Sequence, residues 1–417
     1  MQASRSPLHP TIRRALQLLG TAYALGWLTI ALAVGPGSTV VVDLSGRLDS
    51  AGYFIAAYYL GAASGGALFG RAMDVWGRRP LLVAAYGTAA AGFALAGVAV
   101  QVASLTLFLA GDVVLAAGMG GIHLTRVAAA EMFPPAGRGR AVGRIQLSAL
   151  AGALAGPLLL SASEPASRLL QVDAIRSLWF AAVPVLLLAM LIARRVPETR
   201  QIARDLGTYH PASTVAAQPR ATAFQPRPLV TGITSLALAN AAMVMAMGVT
   251  GAALRHDGHG VSAIGFALAA HFLGMFALSP LIGRLADRLG RRATILAGFL
   301  TLALGGILIA LVPGVVGFSA GIFLVGTGWS GAYIGGTVLV TDATPADRSA
   351  RVLGLTDMAA AVLTISASLG GGAWYAAHGL PGLGLLAVAL VILPALLVWT
   401  LREPRPGLYG TPVVSEG

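Results

Sequence analysis

The sequence predicts an all-α polytopic membrane protein, with twelve spans arranged as two homologous six-helix bundles. Three observations predict it: a composition too apolar for water, twelve apolar runs of membrane length, and a motif that recurs near half the chain length. Of 417 residues, 56% are hydrophobic and 11% charged, with a mean hydropathy of +0.79. Ordinary soluble chains carry about 25% charged residues. This chain has too little polar surface to cover a core in water, so the lipid bilayer is its solvent.

Cysteine is absent, which excludes disulfide staples, thiolate catalysis and Cys-ligated zinc. A net charge of +12 at pH 7 raises the question of nucleic acid. Every basic residue is Arg, however, and the Arg lie in short gaps between apolar runs and not along one face. That distribution argues for membrane topology and against a nucleic-acid partner.

A spanning helix needs about 20 apolar residues. Such runs begin near Leu16, Ser50, Leu81, Ser104, Ala141 and Leu178, and resume near Val230, Val261, Thr294, Val316, Val352 and Leu380. The first run extends to Val42, beyond the roughly 7–15 residues of a signal-peptide core, and reads as a retained span. With the N-terminus placed in the cytoplasm, 24 of the 28 Arg fall in cytoplasmic segments; only Arg47, Arg168, Arg176 and Arg255 fall outside. The positive-inside rule therefore places both termini in the cytoplasm. Between the halves, residues 195–227 are rich in Pro and lack a helical apolar period, which makes them a linker between bundles at 1–194 and 228–417, with a short surface helix near Gln201–Leu206.

The halves repeat. Gly70-Arg-Ala-Met-Asp74-Val-Trp-Gly77-Arg78-Arg79 returns, ungapped, as Gly283-Arg-Leu-Ala-Asp287-Arg-Leu-Gly290-Arg291-Arg292. Glu131, Pro134, Arg140 and Gly143 return as Asp342, Pro345, Arg351 and Gly354. Each first copy follows span two or four, and each second copy follows span eight or ten.

The loop Gly-x-x-x-Asp-x-x-Gly-Arg-Arg, duplicated in this way, resembles the signature of the major facilitator superfamily, and the resemblance covers the whole chain. Val75 stands where the family usually has a basic residue; Arg288 keeps it in the second copy. The resemblance implies the major facilitator fold and a transporter, not an enzyme. It also implies that Asp74 meets the start of span eleven near Gly354, and Asp287 the start of span five near Gly143. Arg78, Arg79, Arg291 and Arg292 would pair with Glu131, Glu198 or Asp342, forming a conformational latch with the loop glycines. A carboxylate at a helix start gains about 0.3–1 kcal/mol from the macrodipole. Glu131-x-x-Pro134-x-x-x-Arg138-Gly139 and Pro197-Glu198-Thr199-Arg200 also resemble pieces of the sugar-porter branch.

Gly143, Gly152, Gly156 and Pro157 along span five resemble the motif of the drug:proton antiporter branch, although Leu160 and Ser161 replace its closing glycine pair. Ordinary small-residue packing is the competing explanation. Ionisable groups within spans are costly and functional by default, which makes Asp112, His271 and Asp357 the proton-coupling candidates. A structural role competes for Asp112 and His271. Val114 occupies the place of the fourth-span Arg common in the family. Tyr23, Trp27, Tyr58, His123, Asn240, Trp329 and Tyr333 are the substrate-binding candidates. The outer turn Arg255-His256-Asp257-Gly258-His259 is a solvated loop and no metal site. There is no Walker loop, nucleophile motif or phosphate motif, and no cofactor is expected. The expectation is a monomeric secondary transporter in the cytoplasmic membrane. It would export a small amphipathic molecule in exchange for protons; proton-coupled import of a metabolite and a transport-inactive sensor are the alternatives.

Overall fold

The computed structural model describes residues 9–133, 135–170, 174–207, 225–344 and 349–400; the side chains of 135–140, 164–170, 174, 287, 341, 349–351, 353 and 354 lie outside that description. Among the described residues there are helices and no strands. In lipid this follows from hydrogen bonding, since only a helix or a closed barrel satisfies every backbone group within the span.

The helices in chain order are α1 Pro10–Ser45, α2 Tyr53–Trp76, α3 Arg78–Gln101, α4 Leu105–Ile122, α5 Thr125–Glu131, α6 Pro135–Leu170, α7 Ala174–Arg194 and α8 Thr199–Asp205. They continue with α9 Pro226–Gly248, α10 Thr250–His256, α11 Val261–Phe276, α12 Ser279–Leu289, α13 Arg291–Leu311, α14 Gly314–Asp342 and α15 Ser349–Thr400. Ten segments among the described residues have the length and hydropathy of a span, one of them Leu355–Thr400 at 46 residues. At about 1.5 Å per residue that segment is about twice a bilayer core. Gly379 (φ 64°, ψ −164°) breaks it into two spans. Together with the 24-residue α2, the helices supply the twelve spans of two six-helix bundles.

Local chemistry sets the ends. Pro10 opens α1, where a missing N–H costs nothing. Left-handed Gly46 closes it, donating its N–H to the Val42 carbonyl at 2.8 Å. Ser104 caps α4 by accepting from the Leu107 N–H at 3.3 Å. Beyond α1, the Arg47 guanidinium donates to Asp49 at 3.0 Å and holds that carboxyl below its ordinary range. Large apolar side chains stand on the surface, among them Leu147, Leu158, Leu300 and Leu396. Water penalises such a surface and acyl chains do not.

The chain divides into two compact units: Met1–Ala216 with Gly248–Ala269, and Ala217–Met247 with Ala270–Gly417. In the first, α1 packs on α6 and α7, α3 on α4 and α7, and α2 on α4. Small residues permit this closeness: a Cβ on Gly156 would lie 2.7 Å from the Leu28 carbonyl, and one on Gly152 would strike the Ala24 carbonyl. The segment Gly248–Ala269 joins this unit through polar contacts. The Ala252 N–H donates to Ser38 Oγ at 3.1 Å, and the Gly251 and Gly35 backbones touch. Ser161 donates its hydroxyl to the Ser262 carbonyl at 3.2 Å, and Ser262 returns the bond to the Ser161 carbonyl at 2.9 Å. Ser161, which departs from the glycine of the resembled antiporter motif, therefore ties α6 to the start of α11. In the second unit, α13 is the hub, packing on α14 and α15.

Candidate functional site

The duplicated turn comes first, because its backbone is unusual. Gly77 sits at φ 90°, ψ 171° and Gly290 at φ 90°, ψ 167°, each between two helices. Only glycine adopts that region without strain. The chain reverses there, and the next helix starts with Arg78 or Arg291.

Arg78 is 7% exposed. Its guanidinium forms a forked, charge-assisted pair with Glu131 at the end of α5, with Nε 3.1 Å from each carboxylate oxygen. The backbone N–H groups of Arg78 and Arg79 donate to Glu198 Oε1 and Oε2 at 3.0 and 3.1 Å. Glu198 thus satisfies two orphan donors at the start of α3 and meets the positive end of its dipole. Asp74 lies 3.4 Å from Arg78 and accepts from Arg200 at 2.7 Å, while Arg200 also donates to the Asp74 carbonyl at 2.9 Å. In the second unit, Arg291 Nε donates to Asp342 at 3.1 Å. Arg292 donates to the Trp399 carbonyl at 2.7 Å and lies 5.4 Å from the centre of that ring. The side-chain surroundings of Asp287 and Gly354 lie outside the described residues. Gly70 and Gly283 stand on α2 and α12, and a Cβ at Gly143 or Gly283 would meet nothing within 4 Å.

Asp112, on α4, is fully buried, and neither carboxyl oxygen has a hydrogen-bond partner among the described residues. Tyr58 of α2 lies within electrostatic reach of both Asp112 and Tyr23. Tyr23 is buried on α1 with its hydroxyl 3.5 Å from Gln146 Oε1 of α6. Trp27 stacks on His123 at 5.6 Å, and Tyr23 meets both rings edge-on. His123 Nε2 is buried without a partner among the described residues, and the Arg126 Nε donates to the His123 carbonyl at 3.2 Å. One cluster therefore gathers Tyr23, Trp27 and His123 inside the first unit, while Asp112 is buried three turns earlier on α4.

A second cluster lies inside the other unit. Trp329 stacks on Tyr333 at 4.8 Å and donates its indole N–H to Asn240 Oδ1 at 3.2 Å. Asn240 donates onward to Thr364 Oγ1 at 2.8 Å. The repeat offset that carries Gly77 to Gly290 also carries Trp27 to Asn240, so the two clusters occupy corresponding spans. His271 is buried apart from this group; its Nδ1 lies 2.8 Å from the Ile322 carbonyl and its Nε2 has no partner among the described residues. Asp357 lies on an exposed face of α15. Sequence reasoning missed Gln146 and Thr364; Arg200 stood in the Pro197-Glu198-Thr199-Arg200 motif, but its pairing with Asp74 was not foreseen. Gln146 was findable as a lone amide inside an apolar run, whereas Thr364 carried no signal among many membrane hydroxyls.

The sequence profile described as Major Facilitator Superfamily matches residues 16–262 and 233–415. The chain is 26% identical over 413 residues to the uncharacterized MFS-type transporter YdeG of Bacillus subtilis (strain 168), covering 93% of this chain and 92% of that one. It is 28% identical over 400 residues to the riboflavin transporter RfnT of Brucella anthropi, covering 92% and 96%. Among solved structures it resembles a D-xylose-proton symporter with a TM-score of 0.71 at 19% identity, covering 94% of this chain and 97% of that one. The fold, the duplicated turn and these matches agree: the chain is a membrane transporter that belongs to the major facilitator superfamily.

Proposed function

We propose that the protein works by alternating access and exports a small amphipathic organic molecule in exchange for protons, with Asp112 carrying the coupling proton. The observation that supports this most is the fully buried Asp112 carboxyl on α4, which has no hydrogen-bond partner among the described residues. An acid inside a span is expensive and marks a proton relay. The aromatic cluster offers flat apolar faces with polar edges, suited to an amphipathic substrate. His271 and Asp357 are the reserve proton carriers.

The turns at Gly77 and Gly290 act as the latch that biases one conformation over the other. In that role Asp74 and Asp287 meet helix starts near Gly354 and Gly143 in the closed state. The bundles are 1–194 and 228–417, joined by the linker 195–227. Both termini face the cytoplasm, and the protein is a monomer in the cytoplasmic membrane.

A second reading is import of a planar aromatic metabolite. The stacked pairs Trp27–His123 and Trp329–Tyr333 favour it, as does the relative named as a riboflavin transporter. Reconstitution into liposomes with an imposed pH gradient, screened against a mixed panel of drugs and metabolites, tests both. Export by exchange requires accumulation on the acidic side, whereas proton-coupled import requires accumulation on the alkaline side. Transport indifferent to a protonophore would reject proton coupling altogether.

A further inference from the structure

A cleft of about 520 Å³ opens between α1 and α6, lined by none of the aromatic or duplicated-turn residues. Arg13, Gln17 and Thr21 line it from one face of α1, and Arg144 and Ser148 from α6, over an apolar floor around Ile145. The helix period explains the rows: residues four apart share a face. Gly20 lets the helices approach, since a Cβ there would lie 2.7 Å from Ser148 Oγ. The Ser148 hydroxyl is spent on the Arg144 carbonyl at 3.2 Å.

The polar inventory is one-sided. Two guanidiniums, an amide and two hydroxyls line the cleft, and no carboxylate is among the lining residues. Among the described residues neither Arg13 nor Arg144 has an ion-pair partner, whereas Arg47, Arg78, Arg200 and Arg291 each have one. Both arginines are exposed and line the same cleft over its apolar floor. A forked guanidinium suits carboxylate and phosphate oxygens, and one anion can be shared by two of them.

We propose that this cleft binds an amphipathic anion, holding its carboxylate or phosphate between Arg13 and Arg144 and its apolar body against the α1–α6 floor. The site does not depend on proton coupling through Asp112. Its occupant is an anionic lipid headgroup or a soluble organic anion, and the two sources separate by experiment. Purified protein is placed in phosphatidylcholine nanodiscs. One arm adds increasing phosphatidylglycerol to the disc; the other adds 1-naphthoate to the buffer. Thermal unfolding is followed in both.

A saturable rise in the unfolding midpoint is expected in one arm, identifying the source. The double variant R13Q/R144Q should require at least about tenfold more ligand for the same rise. R14Q/R195Q removes equal charge elsewhere and should behave as wild type. R13K/R144K keeps the charge without the fork and should fall between; it also stands in if the glutamine variant does not survive purification. No saturable rise in either arm would overturn the proposal. So would wild-type response in R13Q/R144Q, or equal loss in R14Q/R195Q, which would reduce the effect to net charge.

Discussion

Gly77 and Gly290 turn the backbone through nearly the same angles, yet the two turns are held by different partners. After Gly77, a buried arginine is forked onto Glu131, and Glu198 covers the first amides of α3. After Gly290, Arg291 reaches Asp342, whose side chain is 39% exposed, and Arg292 rests on Trp399. Duplication preserved what geometry requires: the glycine, the following arginine and an acid two spans later. The surrounding contacts diverged: Arg78 and Glu131 are more deeply buried than Arg291 and Asp342.

That contrast predicts unequal costs. Arg78→Ala strands Glu131, whose side chain is 19% exposed, and removing one partner of a largely buried pair costs about 3 kcal/mol. Arg291→Ala exposes Asp342 to solvent and should cost about 1 kcal/mol or less. Unfolding midpoints in detergent should therefore fall much further for the first variant; equal shifts would break the comparison. Gly77→Ala and Gly290→Ala each force a side chain into a glycine-only region, for about 1–3 kcal/mol apiece. At Gly77 the added Cβ would also sit 3.0 Å from Glu198 Oε2. An unchanged midpoint in either variant would contradict a glycine-only turn. Glu198→Gln keeps one of the two acceptor oxygens and loses the other together with the charge at the α3 start, for about 1–2 kcal/mol. Hydrogen exchange should speed up at the amides of Arg78 and Arg79 and stay unchanged at Arg291 and Arg292.

The fold was legible because a bilayer writes its requirements into composition: apolar length, arginine-bearing gaps and a repeated turn. Helix interruptions were less so. The fourth run splits after Ile122 and the eighth before Ser279, and only the latter has Pro280 to mark it. Glu131 and Asp342 were visible as repeat partners. The reach of Glu198 to amides 120 residues away was not, because a backbone donor has no residue type to read. For the same reason the Ser161–Ser262 exchange, which joins positions 101 residues apart through carbonyls, left no trace in either local motif. The aromatic candidates were chosen one by one; that they form two clusters at corresponding places in the repeat required coordinates.

The proposed mechanism rests on Asp112, and the Asp112→Asn variant tests it most directly. The amide keeps the shape of the protonated acid and cannot ionise. In liposomes this variant should exchange substrate down the substrate's own gradient at a rate near wild type. With a pH gradient as the only driving force, it should accumulate none. Undiminished pH-driven accumulation by Asp112→Asn would contradict the assignment and transfer the proton to His271 or Asp357.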